Sequence, residues 1–218
     1  MKSYKDSAII SPPIPMEFLP GGEPVRLGVL ASGSGSNFEA IAQAIKNKHL
    51  NAEIPILIYN NPDAQVVERA QKYQVPTCLI NHRDYQGDRQ KFDGKVIDVL
   101  REHQVDWVIM AGWMRIATPV LVKAFPQRII NIHPSLLPSF PGINAIEQAL
   151  QAGVKVTGCT VHLVVEEVDS GPIIMQAVVP ILPKDTPETL HARVQIQEHK
   201  IMVGAIALAT SQMSINLE

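Results

Sequence analysis

The chain has 218 residues, 46% of them hydrophobic and 18% charged, with a net charge of −2. That composition supports a sizeable core and excludes global disorder, and the lack of a long basic run argues against a nucleic-acid-coating protein. No apolar run approaches the ~20 residues of a membrane span, residues 1–22 lack the apolar core of a signal peptide, and the distant pair Cys78 and Cys159 indicates neither a disulfide framework nor a metal cluster, so a reducing cytoplasm fits.

Residues 1–24 carry Ser11-Pro12-Pro13-Ile14-Pro15 and Pro20-Gly21-Gly22, which predict an extended or mobile arm ahead of a single domain over residues 25–218. Residues 25–30 read as a buried strand. It runs into Ala31-Ser32-Gly33-Ser34-Gly35-Ser36-Asn37. Phe38, Ile41, Ala42 and Ile45 then fall on one helical face, and Ser36 with Glu39 has the spacing of a capping box. Such a segment either makes a tight βα turn or offers N–H groups and a helix N-terminus to an anion. The Walker lysine is missing, and Phe38 fills the third position of a GxGxxG pattern, so a single phosphate suits the loop better than a dinucleotide.

Residues 54–59 predict a second strand, 64–73 a helix, 76–80 a short strand and 81–87 a polar turn. From Arg89, the residues Phe92, Val96, Val99, Leu100 and His103 mark another helical stripe. Residues 107–110 are an unpatterned apolar run, as in a central parallel strand, and 120–125 suit a short helix. Ile129, Ile130 and Ile132 predict the end of a buried strand that Pro134 stops. This alternation predicts an α/β fold: a doubly wound, mostly parallel, Rossmann-like sheet. After Gly142 the pattern changes. A helix over 145–152, an alternating strand over 156–165, a turn and a strand over 173–179 predict a C-terminal antiparallel hairpin. The last helix opens at Thr186-Pro187 and carries Glu198 on its apolar stripe, where a carboxylate either pairs or lines a site.

Asn131 and His133 are two apart on a strand and so share a face, at a strand's carboxyl end, where open α/β sheets bind ligands. An amide and an imidazole N–H aimed at one oxygen form an oxyanion hole. Asp169 is either a turn former in Val-Asp-Ser-Gly or a carboxylate that orients the histidine and relays a proton. No GxSxG occurs, and both cysteines read as strand residues, which favours direct attack by an amine or water over a covalent acyl-enzyme. His162 reads as a satisfied structural histidine. Arg115 is either an anion clamp or a solvated side chain, and no HExxH or comparable cluster supports a metal.

The segments Leu30-Ala31-Ser32-Gly33-Ser34-Gly35-Ser36-Asn37, Ala111-Gly112-Trp113-Met114-Arg115-Ile116, Asn131-Ile132-His133-Pro134-Ser135-Leu136-Leu137-Pro138, Gly158-Cys159-Thr160-Val161-His162 and Asp169-Ser170-Gly171-Pro172-Ile173 occur in that order. Together they resemble the folate-dependent phosphoribosylglycinamide formyltransferases of purine synthesis. The likeness runs from Arg26 into the last helix at Gln195-Ile196-Gln197-Glu198-His199-Lys200. It implies the formyltransferase fold, 10-formyltetrahydrofolate as co-substrate without a metal, and the amine of glycinamide ribonucleotide as acceptor. Gly35, Ser36 and Asn37 would hold the ribonucleotide phosphate, with Gln195, Ile196, Gln197 and Glu198 near the ribonucleotide. Arg89, Met114, Arg115, Ile116, Ala117 and Asn131 would line the folate pocket, and the loop Val165, Glu166, Glu167, Val168, Asp169 would embrace the pterin. Asn131, His133 and Asp169 would be catalytic.

The chain departs from the family in its arm and in Gly142-Ile143-Asn144-Ala145-Ile146-Glu147, which lacks a histidine often found there. Three rivals are a formyltetrahydrofolate deformylase, a methionyl-tRNA formyltransferase and a non-catalytic phosphate-metabolite-binding protein. The first usually carries an N-terminal regulatory domain, for which an arm of 24 residues is too short. The second wants a C-terminal basic domain. Expected partners are the small-molecule substrates, not nucleic acid or membrane. The oligomeric state stays open between monomer and homodimer.

Overall fold

The computed structural model describes residues 9–14 and 23–211. After β1 (Ile9–Ser11) come β2 (Val25–Ala31), α1 (Ser36–Lys46), β3 (Ala52–Tyr59), α2 (Val66–Lys72) and β4 (Thr77–Leu79). A 3-10 turn (His82–Tyr85) fills the expected polar loop, followed by α3 (Arg89–Glu102), β5 (Trp107–Met110), α4 (Pro119–Ala124) and β6 (Ile129–His133). The chain continues through α5 (Ala145–Gln151), β7 (Val156–Leu163), β8 (Ile173–Pro180) and α6 (Pro187–Thr210).

The strands form one sheet in the order β1-β8-β7-β6-β5-β2-β3-β4. The run from β4 to β6 is parallel, while β7, β8 and β1 are antiparallel. The winding direction reverses at β2, so the loops after β2 and β5 flank the topological switch point. The hairpin is not a separate layer: β7 pairs directly with β6. Part of the expected arm is a strand, because Ile9–Ser11 pairs with β8 with Ile10 opposite Ala177. Most of the rest of that arm lies outside the described residues.

Strand alternation splits the core between the two faces. Leu27, Val29 and Ala31 join Phe38 and Ile41 of α1 and Leu190, Val194 and Ile201 of α6. Leu30 joins Phe92, Val96 and Leu100 of α3 on the other face. Each fully buried large apolar side chain contributes about 1.5–3 kcal/mol. Between them Gly28 lets α3 approach: a Cβ there would lie 2.4 Å from Leu100 Cδ2.

Candidate active site

Buried Ile129, Ile130 and Ile132 lock β6 between β5 and β7. Asn131 and His133 therefore emerge at its carboxyl end, Asn131 opposite Met110 on one side and His162 on the other. His133 Nε2 donates to the carbonyl oxygen of Phe140 at 2.9 Å. Its Nδ1 faces Asp169 Oδ2 at 3.4 Å. Asp169 sits at φ 52°, a left-handed conformation that aspartate tolerates better than most residues, and its Oδ2 accepts the Gly142 N–H at 2.8 Å. Asp169 is thus both a turn residue and a neighbour of the His133 ring.

The proline-rich loop after β6 is fastened to the hairpin. The Thr160 hydroxyl donates to Ser135 O at 2.7 Å and accepts from Leu137 N at 3.0 Å, and Gln176 Nε2 donates to Leu137 O at 2.9 Å. This holds Phe140 and Gly142 where their backbone groups meet His133 and Asp169. The loop is a wall of the site.

A second cluster forms at the Gly/Ser loop. The capping box expected at Ser36 is not made. Gly35 is the N-cap, at φ 76°, and a Cβ there would lie 2.3 Å from Val66 Cγ2, so glycine alone fits. Ser36 is the first helical residue, and its hydroxyl accepts from Gln195 Nε2 at 2.9 Å. Glu39 turns away to Arg69 and Lys72. Asn37 Nδ2 donates to Glu198 Oε2 at 3.0 Å, both side chains being buried. Burial pushes the Glu198 carboxyl above its ordinary range, against the opposing pull of Asn37. The same burial, with Glu198 beside it, raises the Cys159 thiol.

The third element is the segment after β5. Trp113 stacks on Phe92 with ring centroids 5.9 Å apart, and the Arg115 guanidinium lies 5.9 Å from the Phe92 ring. Asp93, its carboxyl raised by burial, accepts from Thr118 N at 2.7 Å. Met114 and Ile116 nevertheless stand 79% and 50% exposed, while Ala117 is buried. The segment is tied to the Gly/Ser loop: Ser32 N donates to Gly112 O at 3.1 Å, and Met114 N donates to Ser32 Oγ at 2.8 Å.

The structure thus brings together Asn131, His133 and Asp169, and separately Ser36 and Asn37 with Gln195 and Glu198. Val165, Glu167 and Val168 stand exposed on the loop leading to Asp169, and Glu166 pairs with Lys123 at 3.3 Å. Gln197 is buried, whereas Ile196 and Arg89 face solvent and join neither cluster. Arg69 lay outside the sequence reading, and His162 was read there only as a structural histidine. Arg69 donates Nε to Ser34 O at 2.8 Å while its guanidinium pairs with Glu39. His162 is a satisfied histidine, as expected, but the site satisfies it: Nδ1 lies 2.9 Å from Leu163 O and Nε2 lies 3.1 Å from Asn131 Nδ2. Its Nε2 is also 3.8 Å from Asp169 Oδ1. Only the strand register puts it there.

Among the described residues no group of three or more His, Cys, Asp or Glu is placed to hold a metal ion, and no helix is long and apolar enough to cross a membrane. A glycine-rich loop opening a helix at a switch point, beside an amide–imidazole–carboxylate set, is an arrangement suited to group transfer. The chain belongs to the formyl transferase family, whose model it matches over residues 25–206. It is 44% identical over 175 residues to the phosphoribosylglycinamide formyltransferase of Bacillus subtilis (strain 168), covering 80% of this chain and 89% of that protein. It is 45% identical over 186 residues to the human trifunctional purine biosynthetic protein adenosine-3, covering 85% of this chain but 18% of that protein's length. The crystal structure of glycinamide ribonucleotide transformylase 1 from Symbiobacterium toebii superposes with a TM-score of 0.83 at 44% identity, over 86% of this chain and 88% of that one.

Proposed function

We propose that this chain transfers the formyl group of 10-formyltetrahydrofolate to the amine of glycinamide ribonucleotide, in the cytoplasm. The observation that carries this reading is the cluster of Asn131, His133 and Asp169 on β6 and the hairpin loop. The two ligands take different surfaces. The N–H groups of Gly35, Ser36 and Asn37, with Arg69 nearby, suit a phosphate. Gln195 and Glu198 stand beside that helix terminus, where the ribonucleotide's sugar would lie. The exposed Met114, Ile116, Val165 and Val168 suit a flat, largely apolar ligand such as a folate.

The incoming amine attacks the formyl carbon, a C–N bond forms, and the carbonyl oxygen takes up negative charge. Asn131 Nδ2 supplies an N–H to that oxygen. His133 gives its Nε2 proton to Phe140 O, which turns Nδ1 toward Asp169; when Nδ1 also carries a proton, it donates a hydrogen bond to the oxyanion and keeps that proton. The tetrahedral centre then collapses by breaking the bond to the folate nitrogen. The proton lost by the amine ends on that nitrogen, with Asp169 moving it. Asp169 serves here because it is already oriented by Gly142 N–H.

The test is folate deformylation followed with and without the ribonucleotide. Formylated ribonucleotide in step with folate release supports transfer. Release that ignores the ribonucleotide points to a deformylase, and no turnover by folded protein rejects both.

A further inference from the structure

We propose that His162 is a positioning residue for the transfer proposed above, on which this inference rests: its bare Nε2 takes one amide proton of Asn131 and so sets which end of that carboxamide faces the reacting oxygen. The bond polarities follow from the chain of partners. The Leu163 carbonyl oxygen only accepts, so His162 Nδ1, 2.9 Å away, carries the proton. In a neutral imidazole Nε2 then has a free lone pair, and Asn131 Nδ2 at 3.1 Å donates to it. The second N–H of that amide has no acceptor among the described residues and is left for the substrate.

This matters because the two ends of a carboxamide are nearly the same shape. A reversed Asn131 would place an oxygen lone pair where negative charge develops, turning a donor into a repulsive group. His162 forbids the reversal while it stays neutral. Its ring is held by the Asn131–His162 strand pairing, by a register shift between Val161 and His162 against β8, and by near-complete burial at 2% exposure. The groups that face it are Asn131 and His133 from β6 and Asp169 from the hairpin loop. Asp169 Oδ1, at 3.8 Å, is too distant to hydrogen-bond. Burial opposes the cation, with His133 adding to that effect and Asp169 and the Leu163 carbonyl acting against it.

The experiment is a double-mutant cycle with a conservative rescue. His162→Phe lowers kcat by about 10-fold or more, with both KM values within about 3-fold of wild type. His162→Gln, whose carboxamide oxygen can accept from Asn131, regains most of that loss. In an Asn131→Ala background, His162→Phe costs less than about 2-fold further. Nitrogen-15 NMR of the wild-type protein shows a protonated Nδ1 and a bare Nε2 at neutral pH. Full additivity, equal losses in the Gln and Phe variants, or a protonated Nε2 overturns the proposal. The NMR result needs neither turnover nor a folded variant. A wild-type protein without formyl transfer would count against the activity, and the tautomer would still decide the bond.

Discussion

Strands β2 and β5, in the parallel half of the sheet, end in loops that leave groups open to ligands: the helix-terminal N–H groups around Gly35, and Met114 and Ile116 in solvent. Strands β7 and β8 do the opposite. Thr160, His162 and Gln176 turn inward and are spent on holding the β6 loop, Asn131 and, through that loop, His133. In the proposed reading the parallel half supplies the phosphate cradle and one side of the folate surface, while the antiparallel half fixes the geometry of the reaction and offers Val165 and Val168 of its hairpin loop to the folate, with β6 as the seam. Substitutions should therefore separate cleanly into those that raise KM and those that lower kcat.

The largest effect belongs to the seam. His133→Ala and Asp169→Asn should each lower kcat on the order of 10²-fold or more with little change in either KM. Near-normal turnover in either variant removes that residue from its role. Next comes the cradle. Gly35→Ala places a Cβ 2.3 Å from Val66 Cγ2 at φ 76°, so the KM for the ribonucleotide should rise by about 10-fold, with a stability loss of about 1–3 kcal/mol. A wild-type KM would mean that the loop is only a turn.

Glu198→Gln tests burial against function. Burial raises the folded-state pKa above the ordinary 4.5. The stability this group contributes is thus complete below its unfolded value and is lost as pH climbs through the folded one. Glutamine keeps the bond from Asn37 and cannot ionise. The urea midpoint of the variant should gain on wild type as pH rises from acid to neutral, while the ribonucleotide KM increases. A margin independent of pH contradicts the burial argument. The smallest effect is expected at Met114→Ala. Stability should stay within about 0.5 kcal/mol, because the side chain is exposed, and the folate KM should rise a few-fold. Loss of kcat there instead would blur the division between the two halves.

The parallel half was legible because each of its elements has a local signature. The apolar run Trp107–Met110 is the observed β5, and Pro134 ends β6 at His133 as expected. Asn131, His133 and Glu198 were visible as polar residues in apolar settings. What escaped depended on neighbours distant in sequence. His162 looks like any alternating strand residue until β7 is known to pair with β6 in the register that sets it opposite Asn131. Arg69 carries no sign that its helix packs beside Ser34. The capping box failed because Ser36 and Glu39 match its spacing, yet Gly35 takes the left-handed position and both side chains have partners on other helices. Strand β1 was hidden by its three-residue length and by Pro12 and Pro13 directly after it.

That short strand has a partner at the far side of the sheet. β1 and β4 are the two outermost strands, and each is three residues long. An eight-stranded sheet with long margins would present rows of unpaired N–H and C=O groups to any other extended chain. Here the eight-residue β8 is covered over part of its length by Ile9–Ser11, and Pro12 and Pro13, which lack N–H donors, follow at once. On the other margin β4 gives way to the 3-10 turn within three residues. Among the described residues each margin of the sheet thus ends in a three-residue strand, a shorter template for an added chain than an uncovered β8 would be.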